Sequence, residues 1–483
     1  MLFNSIGYLF FLPFTVLLYY IIPFRWRWAL LLAASYFFYL LWQVGFVLVL
    51  MTATLVSWFS AWKMGKLPLK KQRFRYLLLT LVTNLGMLFV FKYLGFFTDI
   101  VNAVSGIAGE GSIIPYFSLL LPIGISFYTF QTVGYTLNVY RGETKPEQHP
   151  GIYALFVSFF PLVLAGPIER GRKLLPQFHV AHAFDPDLFA GGLRLILWGL
   201  FKKIVIADRL SIFVNAIFTE PGYFHGVEIA VGIILKMMQV YADFSGYTDI
   251  AIGSARLMGF KLSPNFNRPF SAQSIAGFWK RWHISLTTWL RDYVYFSLPH
   301  KYKGKTMQWR LNLNLLLTFV LVGFWHGPYW NFIFFGFLHG LFMILANVSR
   351  PFMTGFNNVT GLTRSPRLLR WLNISATFLL VSSTGFFFGQ QPLPDTLLMI
   401  RNLFDFSDSG AAMGELLKNN DFILGVLLIG FMLWFEYLVA EKSLAAKFLA
   451  KPVAVRFSAY LAMVFFILVF GVFSNQKFFY FQF

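Results

Sequence analysis

GFWKRWHISLTTWLRDYVYF (residues 277–296) and LLLTFVLVGFWHG (residues 315–327) place two histidines, His283 and His326, in a polypeptide that otherwise reads as membrane-spanning apolar helix. At roughly 100° per residue the first stretch, taken as one helix, lines up Phe278, Trp282, Leu286, Trp289 and Tyr293, with Lys280, Arg281, Thr288 and Arg291 opposite. Such a helix lies in or near a membrane interface more readily than it crosses one, and His283 falls at the border of its faces. His326 follows an uncharged run that begins at Leu313, at or beyond the middle of an expected transmembrane helix. An ionisable side chain there is costly and points to function.

The surrounding chain supports that reading. Its 483 residues are 57% hydrophobic and 20% aromatic but only 12% charged, with a mean hydropathy of +0.63. A soluble protein carries about twice that share of charge. Forty basic against twenty acidic residues give +20, but the basic residues cluster in short loops between apolar runs. Membrane topology accounts for them, and nucleic-acid binding is not expected. No cysteine is present, which removes disulfides, thiolate metal sites and a thiol nucleophile. The N-terminal MLFNSIGYLFFLPFTVLLYYII has neither a basic start nor a small-residue cleavage pattern and reads as a retained span.

Apolar runs near 5–22, 28–44, 46–62, 76–98, 115–139, 187–218, 228–256, 311–326, 331–348, 371–389, 421–440 and 457–474 make twelve expected spans. The expectation is an all-α polytopic membrane protein of about 11–12 transmembrane helices with re-entrant and interfacial pieces, in one integral domain over 1–483. KMGKLPLKKQRFR (63–75) holds six basic residues and no acid, and Arg256 to Arg310 holds ten basic residues with the single acid Asp292. The positive-inside rule puts both stretches in the cytoplasm, and the loop with Asp99 and Glu110 outside. IYALFVSFFPLVLAGPIERGRKLL (152–175) is apolar for only about fifteen residues and is broken by Pro161 and Pro167, so it is expected to be re-entrant. Ser126, Tyr128, Thr129 and Gln131 are too polar for lipid contact and are expected to face other helices or a water-filled path.

Imidazole is the side chain whose ordinary pKa lies near neutrality, so His326 is the first candidate for a general base or acid, against a packing role at a helix end. His283 is weighed evenly between substrate positioning and an interfacial role. His339, in GFLHG, is expected to pack helices, with a secondary chance of supporting the site. His179 and His182 are three apart with no third ligand, and no metal is assigned. Asp243 and Asp249, six apart, do not share a helix face as a carboxylate pair would. His149, His225 and His300 lie in expected loops and are assigned nothing. No GxxxxGK[ST], HExxH or GxSxG occurs, so nucleotide hydrolysis, zincin chemistry and an elbow serine hydrolase lose support.

At PIGISFYTFQ (122–131), LAGPIER (164–170), YADFSGYTDIAIG (241–253), NFNRPF (265–270), FWKRWHISLTTWLRDYVY (278–295), FWHGPYWNFIFFGFLHG (324–340) and the terminal FYFQF, the sequence resembles the membrane-bound O-acyltransferase family, in its bacterial alginate O-acetyltransferase branch. The resemblance implies helices around a central tunnel, with His326 in it and His283 nearby as the catalytic pair. Trp282, Trp325, Asp292, Gln131, Tyr128, Asn267 and His339 are the substrate or tunnel candidates. It further implies a cytoplasmic thioester donor, acetyl-CoA, with no bound cofactor, a periplasmic SGNH-type acetyltransferase partner, an extracytoplasmic glycan and a bacterial inner-membrane location. FSLPHKYKGK (296–305) lacks a glycine pair usual in alginate-type relatives, which leaves the glycan open among alginate, cellulose and peptidoglycan types. A D-alanyl exporter for teichoic acid, or a transporter or flippase without covalent chemistry, are the alternatives.

Overall fold

The structure is a computed structural model that describes residues 1–107, 113–115, 119–299, 306–407, 414–415, 417–440, 442–473 and 478–479. Glu110, His300, Lys301 and the end of the FYFQF motif lie outside the described residues. Among those described there is no strand, and every regular element is a helix. Six helices among the described residues are long and apolar enough to cross a membrane: Val44–Gly65, Lys70–Gly106, Met307–His326, Trp330–Val359, Asn420–Val439 and Val453–Phe470. Other expected crossings are helical but shorter or more polar, among them Phe24–Leu40, Ile125–Arg141, Gly226–Leu257 and Pro366–Ser383. The outward stripe Ile6, Phe10, Phe14, Leu17 and Ile21 on the first helix is 59–76% exposed. A row of aliphatic and aromatic side chains left uncovered on one helix face is stable only against lipid. The protein is a multi-pass membrane protein.

Two compact units are present: residues 1–196 with 248–263, and residues 197–247 with 264–483. Neither is a contiguous half of the chain, and no linker in the sequence marks the division.

In the first unit, Ile125–Arg141 is buried along nearly its whole length. Its polar groups face protein, as their number required: Gln131 Nε2 donates to the Phe156 carbonyl at 2.7 Å, and Thr132 Oγ1 donates to Asn84 Oδ1 at 3.0 Å. The helix starts ten residues later than the apolar run from 115, because Pro122 and Gly124 (φ +78°) precede it. A Cβ at Gly124 would strike the Val163 carbonyl oxygen, so only glycine allows the approach. The expected re-entrant stretch is a nine-residue helix, Pro150–Ser158, a buried turn through Pro161, and a second short helix, Gly171–Phe178. At 1.5 Å per residue nine residues reach about 13 Å, less than half a hydrocarbon core.

In the second unit, Thr306–His326 and Trp330–Val359 form an antiparallel pair joined by Gly327, Pro328 and Tyr329. A Cβ on Gly336 would collide with the Phe319 carbonyl, and one on Gly323 with the Phe332 carbonyl. The two backbones therefore touch, which is the close small-residue packing expected around GFLHG.

The stretch read as one amphipathic helix is broken. Ile275–Trp279 ends, Lys280–Trp282 turn, and Ile284–Tyr293 begins after His283, whose φ is +42°. Phe278, Trp282, Leu286, Trp289 and Tyr293 are all buried, so the apolar positions were legible while the break was not. They meet protein rather than a membrane interface, and His283, expected at a border between faces, has no exposed surface.

Candidate active site

His326 is the last residue of its helix and 2% exposed. Its ring packs against Phe388 (5.0 Å between centroids), Phe335 (5.8 Å) and Trp325 (5.0 Å). Trp325 bridges to the other histidine, its ring 5.8 Å from that of His283. Phe244 closes the far side of His283 at 4.7 Å. Two imidazoles that both pack against one buried indole, walled by aromatic rings, form the centre of the candidate site.

His283 owes its place to backbone pairing. Asn267 N–H donates to the Arg281 carbonyl at 2.9 Å and Ile284 N–H to the Asn265 carbonyl at 2.9 Å, so segment 265–267 clamps the turn on both sides of the histidine. A left-handed conformation is uncommon for a residue with a side chain, and histidine is among the few types enriched there. Asn265, 1% exposed, stabilises it. Its Oδ1 accepts from Ser285 N–H at 3.2 Å, Ser285 Oγ at 2.9 Å and His283 Nδ1 at 3.1 Å. The backbone N–H identifies that atom as oxygen, so His283 Nδ1 carries the proton and Nε2 carries the ring's lone pair. His283 heads a short helix outside the long apolar ones, and burial pushes its imidazole down from 6.5 to about 3.

His339 is held at both nitrogens. Trp279 Nε1–H donates to Nδ1 at 3.2 Å, which leaves the proton on Nε2, 3.0 Å from Thr384 Oγ1, and that hydroxyl donates to the Val381 carbonyl at 2.6 Å. This chain of hydrogen bonds ties His339 to neighbouring helical segments.

Asp243, the residue before Phe244, belongs to a buried ion cluster. Lys203 Nζ is 2.7 Å from both Asp208 Oδ1 and Asp243 Oδ1, and all three are under 5% exposed. Asp243 Oδ2 also accepts from Phe479 N–H at 2.7 Å, and Phe479 stacks on Phe388, the ring against His326. The π-helical turn Phe201–Ala207 presents Lys203 to this cluster, and Lys202 points to Glu436, 3.9 Å away. Asp243 thus has a structural partner, in keeping with its rejection as half of a carboxylate pair.

Among the other sequence candidates, Trp282 is buried against Phe266 and Phe278, at 5.2 and 5.3 Å. Asp292, a substrate or tunnel candidate, pairs with Arg291 at 2.9 Å. Gln131 and Tyr128 belong to the first unit and are buried there. Asn267 is exposed and contributes its backbone; the side chain on His283 comes from Asn265, two residues earlier in the same NFN motif. Asn265, Lys203 and Phe388 were missed by sequence reasoning. The motif quoted as NFNRPF contained the signal for Asn265, but nothing local distinguished its two asparagines. His179 and His182 turn to different partners, Glu147 Oε2 (2.8 Å) and the Gln177 carbonyl (2.9 Å).

Chemically, a neutral imidazole walled by rings can take a proton from a hydroxyl in a space where water does not compete, and a second imidazole of fixed tautomer can hold a donor or a polar group. Residues 29–388 match the profile of the MBOAT, membrane-bound O-acyltransferase family. The chain is 38% identical over 84% of its length to the "Probable alginate O-acetylase AlgI" of Azotobacter vinelandii, covering 79% of that protein. It is 31% identical to the peptidoglycan O-acetyltransferase of Helicobacter pylori over 77% of this chain and 73% of that one. To the teichoic acid D-alanyltransferase of Bacillus subtilis it is 31% identical over 58% of this chain and 71% of that one. This chain belongs to the membrane-bound O-acyltransferase family and is an acyltransferase.

Proposed function

We propose that this protein moves an acetyl group from a cytoplasmic thioester, acetyl-CoA, toward an extracytoplasmic polysaccharide of the alginate, cellulose or peptidoglycan type, in the bacterial inner membrane and with a periplasmic SGNH-type partner. What supports the reading most is the buried His326, walled by Trp325, Phe335 and Phe388, in a family of acyltransferases whose relatives at 31–38% identity over more than three-quarters of this chain are named as O-acetylating enzymes.

His326 takes the proton of an acceptor hydroxyl as its oxygen attacks the thioester carbonyl; the C–O bond forms, the C–S bond breaks, and the thiolate leaves to be protonated. His283, with its lone pair on Nε2, holds the donor or a polar group beside it. Removing a general base costs about 10²–10⁴ in rate. His326→Ala in membranes that still contain folded protein is therefore expected to abolish acetylation of the glycan, and undiminished acetylation removes His326 from the mechanism. Supplying the purified protein with acetyl-CoA or with a carrier-protein thioester separates this reading from D-alanyl export. Consumption of neither, with movement of glycan or lipid, would favour a transporter.

A further inference from the structure

Phe479, the first residue of the terminal FYFQF motif, has no part in the mechanism, yet it reaches the wall around the candidate base. Its ring stacks on Phe388 at 5.6 Å with 17° between the planes, and Phe388 in turn meets His326 at 5.0 Å. Phe388 also meets Phe332 at 5.5 Å and Phe335 at 4.8 Å. Those two rings stand on helix Trp330–Val359, whose backbone touches that of Thr306–His326 at Gly323 and Gly336 and cannot yield. Phe479 lies outside both helices. How firmly Phe388 is pressed to His326 therefore depends on what holds Phe479.

The hold comes from the π-helical turn Phe201–Ala207 and the ion cluster attached to it. Turns of this kind inside α-helices are frequent at functional sites. Val472 N–H donates to the Ile204 carbonyl at 3.0 Å, which fixes the chain just past helix Val453–Phe470. Asp243 Oδ2 accepts from Phe479 N–H at 2.7 Å while its Oδ1 pairs with Lys203 at 2.7 Å. A hydrogen bond to an ionised carboxylate is about twice as strong as one between neutral groups. Phe478, 1% exposed, adds a stacked contact with Tyr247 at 4.3 Å. Seated at Val472, Phe478 and Phe479, the C-terminal segment props Phe388 from the side opposite the helix pair's own fixed packing.

We infer that Phe479 is a specificity-determining residue: by holding Phe388 against His326 it restricts the acyl group beside the base to acetyl size, with Asp243 as its anchor. Given the acetyl-transfer reading, on which this rests, the thioester carbonyl comes within about 3–3.5 Å of a hydroxyl that His326 deprotonates. The remainder of the acyl chain then meets the rings around His326, and Phe388 is the wall whose support comes from Phe479. Loss of the Phe479 ring leaves a void behind Phe388 into which that ring can turn, and the turn opens room beside the imidazole for a longer chain.

The test uses the full chain in membrane vesicles of the producing cells, supplied with equal amounts of acetyl-CoA and butyryl-CoA. Mass spectrometry follows the loss of each thioester beyond that in vesicles from a deletion strain. One methylene shifts discrimination by about 10–200-fold in a shaped apolar pocket, so with two the unaltered protein is expected to prefer acetyl-CoA at least about a hundredfold. Phe479→Ala and Asp243→Ala are expected to lower that preference at least about tenfold, and Phe479→Tyr to retain it. Phe473→Ala, on the same segment but 62% exposed, leaves it unchanged. Independently of transfer, nitrogen-15 spectra of histidine-labelled protein in detergent are expected to show the His326 ring signals shifted in Phe479→Ala and unmoved in Phe473→Ala. Equal use of both thioesters by the unaltered protein, which needs no variant to fold, overturns the inference. So does a preference that survives in Phe479→Ala, or His326 signals that stay in place there. Failure of the acetyl-transfer reading looks different: neither thioester is consumed, while the His326 signals still respond to Phe479→Ala and the prop on Phe388 stands.

Discussion

Replacing Asn265 by alanine removes one oxygen on which three donors converge: His283 Nδ1, Ser285 N–H and Ser285 Oγ. At a net ~1 kcal/mol per hydrogen bond the loss is about 3 kcal/mol, and leaving the buried donors unsatisfied adds to it. Against a typical stability of ~5–15 kcal/mol this is severe. The control lies two residues away: Asn267→Ala removes an exposed side chain and is expected to stay within about 0.5 kcal/mol. Equilibrium unfolding in sodium dodecyl sulfate reads both variants. Asn265 Nδ2 has no partner among the described residues, so Asn265→Asp sacrifices no donor interaction and restores all three acceptor bonds. Nitrogen-15 NMR of labelled histidine is expected to show His283 protonated on Nδ1 in the unaltered protein and in Asn265→Asp, with that tautomer lost in Asn265→Ala. Similar costs for Asn265→Ala and Asn267→Ala, or an unchanged tautomer in Asn265→Ala, would refute the assignment of Asn265 as the residue that orients His283.

In the same unfolding assay, Gly336→Ala is expected to cost several kcal/mol because its Cβ meets the Phe319 carbonyl, while Gly355→Ala, on the same helix with open space around it, gains up to ~1 kcal/mol from helix propensity. Lys203→Met strands Asp208 and Asp243 and should cost about 3–5 kcal/mol, with most of the loss recovered when both aspartates are changed to asparagine. The buried imidazole of His283 has its folded-state pKa lowered from 6.5 to about 3, so its contribution is present above pH 6.5 and is lost as pH falls toward 3. Stability is therefore expected to decline from pH 7 to pH 5 by up to ~1.4 kcal/mol per unit from this group, with a shallower decline in His283→Asn.

What could be read in the sequence was what depends on residue type along a helix. Uncharged runs of membrane-spanning length implied helices, and the row Phe278, Trp282, Leu286, Trp289 and Tyr293 implied a buried face. Both hold because side-chain hydrophobicity acts the same way whatever the neighbour. The rare ionisable groups in such runs, His326 above all, could likewise be singled out, since their cost is set by the apolar surroundings alone. Periodicity could not reveal that the His283 stretch breaks at a left-handed residue, because the break is paid for by Asn265 and the clamp at residues 265–267, outside the window. Nor could it choose between the two asparagines of NFN, which differ in burial and not in chemistry.

By itself, then, the sequence determined that this is an all-helical membrane protein of the acyltransferase family and singled out His326 and His283 as candidates. Only the tertiary structure decided which partners those histidines have, that Trp325 packs against both, and that Lys203 is paired with two aspartates. The difference is physical: burial of apolar surface is additive along the chain, whereas hydrogen bonds and ion pairs depend on atoms within about 3–4 Å, contributed here by residues up to 261 positions apart.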